Sequence, residues 1–186
     1  MTKRALLVID VQNDYFPGGR WTLAHMERAA DNVARLIAAA RAGNEPVFHV
    51  QHVMEEPDAP FFAKGSSGAE IHGKAKPLAG EALVVKSEVN AFLGTDLKSR
   101  LDAAGVTDLV ICGAMSHMCI DAATRAASDF GYAVTLVHDA CATRDLDFNG
   151  KIVPAEEVHA AFMSALGGTY AKLVATDAWL AERAAA

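Results

Sequence analysis

A chain of 186 residues, 52% hydrophobic and 22% charged, is sized for one domain with a substantial buried core, and residues 1–186 are read as that single domain. A formal charge of −6 at pH 7, with no cluster of Lys and Arg, excludes broad electrostatic attraction to nucleic acid or to an anionic membrane. No apolar run reaches the roughly 20 residues of a spanning helix, and the opening "MTKRALLVIDVQ" meets Asp10 too early for a signal-peptide core, so a soluble, cytoplasmic protein is expected.

The first element, "RALLVID", is short, nearly continuous in apolar residues and closed by a carboxylate, the pattern of a central parallel strand covered on both faces. A helical pattern follows, "AHMERAADNVARLIAAARAG", closing on Gly43, and then a second strand, "PVFHVQHV". Residues 53 to 80 form the one long irregular segment, rich in Gly, Pro and Ser yet holding the pair Phe61 and Phe62, which suggests a lid or a partner surface. Beyond it come the strand "ALVVKS", the helix "TDLKSRLDAAG" ending at Gly105, and the strand "TDLVICG". The helix "HMCIDAATRAASDFG" closes on Gly131 and leads to "AVTLVHD", the fifth strand. "PAEEVHAAFMSALGG" opens on Pro154, "AKLVAT" is a sixth strand, and "DAWLAERAAA" finishes the chain as a helix. Strands alternating with helices predict an α/β fold, a three-layer α/β/α sandwich around a doubly wound, six-stranded parallel sheet of Rossmann-like kind. Ligands of such folds lie beyond the carboxyl ends of the strands.

Cys112, Cys119 and Cys141 are odd in number and include no CxxC pair, so neither a zinc knuckle nor a disulfide framework is indicated. Asp10 follows the first strand, Lys86 ends the third, and Cys119 lies just after the fourth, which gathers all three on one rim of the sheet. Singly, each has an ordinary explanation: a turn-forming Asp, a solvated Lys, a small buried thiol. Together they are the parts of an acyl-transfer site. A helix start capped by Ser116 would put the Cys119 thiol at the positive end of the macrodipole and lower its pKa. Asp10 would take the thiol proton and return it to a leaving amine, while Lys86 would hold Asp10 ionised. In the turn "GAMSHMC", Gly113 permits a sharp bend, and the Cys119 N–H is placed to bind a developing oxyanion.

Three separated stretches, "ALLVIDVQNDYFPGG", "VVKSEVNAFLGTDL" and "LVICGAMSHMCIDAATRAASDFGYAVTLVHDACAT", resemble the isochorismatase-like cysteine hydrolase superfamily, which includes nicotinamidases, N-carbamoylsarcosine amidohydrolases and related amidases. The resemblance implies a catalytic triad of Asp10, Lys86 and Cys119. It also implies a non-proline cis peptide before Met115, an oxyanion hole formed by the N–H groups of Met115 and Cys119, and a substrate-contacting aromatic at Tyr15. Family nicotinamidases carry a metal-binding Asp-x-His with a further His, whereas this chain offers "HVQHV" and the isolated His72. His49 and His52, three apart on a strand, would point to opposite faces, so no metal and no cofactor are expected. True isochorismatases cleave a vinyl ether and lack the nucleophilic cysteine, so Cys119 favours cleavage of a carbon–nitrogen bond through a thioester. The substrate class is then a small amide, carbamoyl or ureido compound. Members are commonly dimers or tetramers, which implies a homo-oligomer.

Phe62 and His117 are weaker candidates for contacting substrate, with His117 equally readable as an exposed residue without a role, and Phe61, Phe62 and Trp21 line the pocket, a subunit contact or simply the packed interior. Cys112 reads as an inert strand residue and Cys141 as an inert loop residue. "DYFPGGR" lacks the GxGxxG spacing after a strand, which argues against a nucleotide. Two further readings stay open at this point: a vinyl ether hydrolase with an idle cysteine, and a noncatalytic receiver or small-ligand-binding domain. Against the receiver, Lys86 stands where an acidic residue would accept phosphate.

Overall fold

Six of the apolar runs form one sheet. In the computed structural model, which describes residues 3–56 and 58–184, the strands are β1 (Arg4–Ile9), β2 (Val47–His52), β3 (Ala82–Lys86), β4 (Asp108–Ala114), β5 (Ala133–Ala142) and β8 (Lys172–Val174). They are all parallel, in the spatial order β3-β2-β1-β4-β5-β8. Alternation along β1 divides the interior in two. Leu6 and Val8 face one way, into a core shared with α1 (Met26–Ala42) and α5 (Thr176–Ala184). Ala5, Leu7 and Ile9 face the other way, toward α2 (Leu97–Ala103), α3 (Asp121–Asp129) and α4 (Ala155–Leu166). The fold is therefore the doubly wound α/β/α sandwich, and none of its described helices is long and apolar enough to cross a membrane. The last two residues of the predicted C-terminal helix, and Pro57 of the long loop, lie outside the described residues.

The strand order reverses between β1 and β4, and there the two backbones approach closely. Gly113 pairs with Ile9 in the register of these two strands at φ 124°, and a Cβ at this position would overlap the Ile9 carbonyl. Only glycine lets the two backbones approach so closely, which brings the residues after β1 and β4 to one spot.

Three features differ from the sequence expectations. β5 runs on through Ala142, with its register against β4 shifting between Ile111 and Gly113, so Cys141 is a buried strand residue rather than a loop residue. An antiparallel hairpin follows, β6 (Leu146–Phe148) and β7 (Lys151–Val153), around Asn149 and Gly150, both at positive φ. The segment after β4 does not start as a regular helix. Ser116–Ile120 is a π-helical turn, with the Ile120 N–H reaching the Met115 carbonyl at 3.2 Å, and α3 begins only at Asp121.

Candidate active site

Four adjacent strand ends supply the site. Asp10 leaves β1 at φ 53°, a left-handed conformation that Asp tolerates better than most residues, and its N–H donates to the Val50 carbonyl of β2 (3.0 Å). His52 and Lys86 are the last residues of β2 and β3, and Cys119 sits in the turn after β4. All four side chains are buried, the nucleophile candidate retaining 4% exposure.

Lys86 is the hub. Its Nζ lies 2.9 Å from Asp10 Oδ2, 2.8 Å from His52 Nδ1 and 3.3 Å from Cys119 Sγ, and it also donates to the Glu88 carbonyl at 3.0 Å. Burial pulls the Lys86 pKa down, but the charge of Asp10, with the hydrogen bonds to Asp10 and Cys119, outweighs it and holds the ammonium above its ordinary value. His52 is shifted the other way, first by burial and then by the Lys86 charge, so its ring is neutral, with Nδ1 accepting from Lys86. The Cys119 thiol is pushed well up, mainly by burial and next by the Asp10 carboxylate, against the opposing pull of Lys86. The sequence argument for a thiol lowered by a helix start fails for a physical reason: a low-polarity position beside a carboxylate disfavours the thiolate more than the neighbouring ammonium favours it. The resting group is a thiol.

Ser116 does not cap a helix either. Its Oγ donates to the Ala142 carbonyl (3.3 Å) and lies 2.9 Å from His159 Nδ1, which fastens the turn to β5 and α4. The Ala114–Met115 peptide is cis. Met115 and Cys119 thus flank the turn on which the oxyanion donors were placed.

The histidines and the metal question resolve residue by residue. His49 faces away from the site, with Nε2 3.0 Å from Glu81 Oε2, while Arg41 grips the same carboxylate at 2.7 and 2.8 Å. Chiefly because of Arg41, the Glu81 carboxyl is held down at about 2. His72 stacks on Phe16 with ring centroids 3.6 Å apart. The donor atoms of Asp10, His52 and Cys119, by contrast, lie within 4.8 Å of one another, a spacing compatible with an ion. The Lys86 ammonium already sits in contact with all three, so a metal ion bound among them would meet that charge directly. The set is built around a resident ammonium.

Aromatic side chains cover this centre. Tyr15 is buried against Phe62 (4.6 Å between ring centroids), and Phe61 packs on both. Burial, followed by the charge of Asp10, holds the Tyr15 hydroxyl well above its ordinary pKa. His117 lies on the other side, Nδ1 2.6 Å from Thr143 Oγ1, its pKa lowered by burial and then by Arg144.

Three site residues escaped sequence reasoning. His52 enters the sequence reading only as a histidine on the opposite face of β2 from His49, whereas its ring contacts Lys86. Gln12, fully buried, donates through Nε2 to the carbonyls of His52 (2.8 Å) and Ala69 (2.7 Å) and accepts from the His52 N–H (2.8 Å), which fixes the end of β2. Asp14 ties two loops together: Oδ1 accepts from the Arg20 N–H (3.1 Å) and Oδ2 from the Phe62 N–H (2.7 Å), with Phe62 at φ 52°. Replacing Asp14 by Ala leaves two buried or half-buried N–H groups unpaired. The expected cost is about 2 kcal/mol, or roughly 4 to 8 °C in Tm, with faster proteolysis around residues 61 to 68; a melting curve and limited digestion read both.

Comparison with known proteins agrees with this fold. Residues 4–176 match the isochorismatase domain. The isochorismatase family protein YddQ of Bacillus subtilis (strain 168), itself uncharacterized, is 52% identical over 95% of this chain and 98% of its own length. Streptothricin hydrolase of Streptomyces noursei is 38% identical over 77% of this chain, which spans about half of that protein (51%). The crystal structure of a candidate isochorismatase hydrolase from Oleispira antarctica superposes with a TM-score of 0.94 at 51% identity, covering 97% of both chains.

Proposed function

Because the chain belongs to the isochorismatase family of hydrolases, we propose that it cleaves the carbon–nitrogen bond of a small amide, carbamoyl or ureido compound through a thioester on Cys119. The observation that carries this reading is the convergence of a protonated thiol, a carboxylate and an ammonium on one buried point.

Asp10 takes the Cys119 proton as the sulfur attacks the substrate carbonyl, so the thiolate exists only while it is being consumed. Charge that develops on the carbonyl oxygen is received by the N–H groups of Met115 and Cys119. The Asp10 carboxylic acid then passes its proton to the leaving nitrogen, the C–N bond breaks, and the amine departs. Water attacks the thioester with Asp10 again as base, releasing the acid and restoring the thiol. Lys86 stays charged throughout. It pairs with Asp10 between turnovers and stabilises the sulfur while it carries negative charge. His52, neutral and hydrogen-bonded to Nζ, orients the ammonium without adding a second positive charge.

Streptothricin hydrolase, a relative that is itself a hydrolase, supports bond cleavage over mere ligand binding. The test is a screen of small amides, ureas and carbamates with mass detection of the intact protein. A substrate should leave a transient acyl adduct on the peptide containing Cys119. Turnover without any adduct, or release of a vinyl ether product pair instead of an amine, would refute the proposal.

A further inference from the structure

We propose that the open edge of β3 is a self-association surface, on which a second copy of this chain adds its own β3 antiparallel about a two-fold axis at Val84, so that one sheet runs through both molecules. The hydrolase reading is not needed for this, and either can fail without the other.

The sheet ends in two unlike ways. β8, at one end, is a short strand whose exposed Lys172 is paired with Glu182 at 2.9 Å, the kind of abbreviated, charged edge that resists a further strand. β3, at the other end, has no such device: it is longer, holds no proline, and buries its one charged side chain, Lys86, at the reacting centre. Its backbone is open as well. The Val53 N–H donates to the Lys86 carbonyl at 2.9 Å, so Lys86 turns its backbone groups toward β2. Alternation then points those of Val84 and Ala82 the same way and those of Leu83 and Val85 outward. No described residue takes up the N–H or C=O of Leu83 or Val85.

The side chains carry the same asymmetry. Val84 is buried in the core on the α2 side. Leu83 and Val85 point to the opposite face, where the covering stops at β2: Arg41 and Glu81 close over His49, and the Ala69 carbonyl accepts from Gln51 at 2.8 Å. Leu83 and Val85 are left 40% and 54% exposed, and Leu78, in the turn leading into the strand, 57%. Apolar side chains beside unpaired backbone groups are what an added strand covers, because its hydrogen bonds take the edge and its alternate side chains take the face.

The occupant follows from symmetry, since β3 is its own complement. In an antiparallel pair centred on Val84, Leu83 faces Val85 of the partner subunit and Val85 faces Leu83 of the partner subunit, each as a hydrogen-bonded pair that exchanges N–H and C=O in both directions. Every outward group is then satisfied. The apolar side chains of the two copies fall on one face and close into a single patch. A slip of one residue would set outward groups against inward ones and lose those bonds. The contact is isologous, so it closes at two copies and does not propagate as a filament.

The test is sedimentation of the full chain over a range of concentrations, the wild-type protein beside Val85→Lys and Leu83→Glu, with a melting curve for each to show that the fold persists. The wild-type protein should associate at about 100 μM, and each single variant should weaken association by about 100-fold, because the two-fold axis introduces every change twice. An equal mixture of the two variants should associate again, since the acid on one copy then lies across from the base on the other. That recovery reads the register directly. A wild-type protein that stays monomeric at this concentration, or an assembly that both variants leave unchanged, overturns the proposal. Weakened single variants whose mixture does not recover overturn the antiparallel register, and the proposal with it.

Discussion

Cys119→Ala abolishes turnover: hydrolysis should drop by about 10⁴-fold or more, because the atom that would carry the acyl group is gone. The fold should survive. The sulfur is a small group at the edge of the core, and its removal leaves the Asp10–Lys86 pair intact, so the change in stability should stay within about 1 kcal/mol. Steady-state rates on any substrate found in the screen, set beside a melting curve, decide the matter. Retained activity in a well-folded variant would show that water, not sulfur, attacks.

Asp10→Asn should separate two properties that a merely damaged site would lose together. Hydrolysis falls by about 10³-fold, since nothing remains to carry the proton from sulfur to nitrogen. Thiol reactivity moves the other way. The Cys119 pKa is raised first by burial and then by Asp10, and lowered by Lys86. Deleting the carboxylate removes one of the raising influences and keeps the lowering one, so the thiol titrates at lower pH and is alkylated faster by iodoacetamide at a given alkaline pH. Iodide needs no proton to leave, which is why alkylation can rise while hydrolysis falls. Parallel loss of both rates in a folded variant would reduce Asp10 to a structural partner of Lys86. That partnership has its own signature. An ammonium held above its ordinary value of 10.5 contributes stability at neutral pH that disappears only as pH climbs through the raised value, and this alkaline sensitivity should be absent from Asp10→Asn.

The architecture was legible because its signals are local: buried parallel strands read as apolar runs, and a strand-end Asp, Lys or Cys announces its own position on the rim. The extents of β1, β2 and β4 followed from such runs, and the meeting of Asp10, Lys86 and Cys119 on one rim from their places at or after strand ends. What stayed hidden depends on the third dimension. His52 differs from His49 only in parity along β2, and parity does not tell which face carries the site. Gln12 and Asp14 act on backbone groups some 40 to 57 residues away in the chain, an association no local pattern records. The Asn149–Gly150 turn did carry a local hairpin signal in "FNGK", between strands too short to stand out. Ser116 looked like a helix cap because Ser usually is one before such a run; the close approach of β5 and α4 gives its hydroxyl other partners.

The double grip of Asp14 limits how the segments over this centre can be reshaped. The segments around Arg20 and Phe62 share one carboxylate, and Gly68 packs so closely on it that even a methyl group would collide. Swapping either segment alone into a relative would break the clasp, so a graft that alters selectivity has to carry both halves and the glycine together.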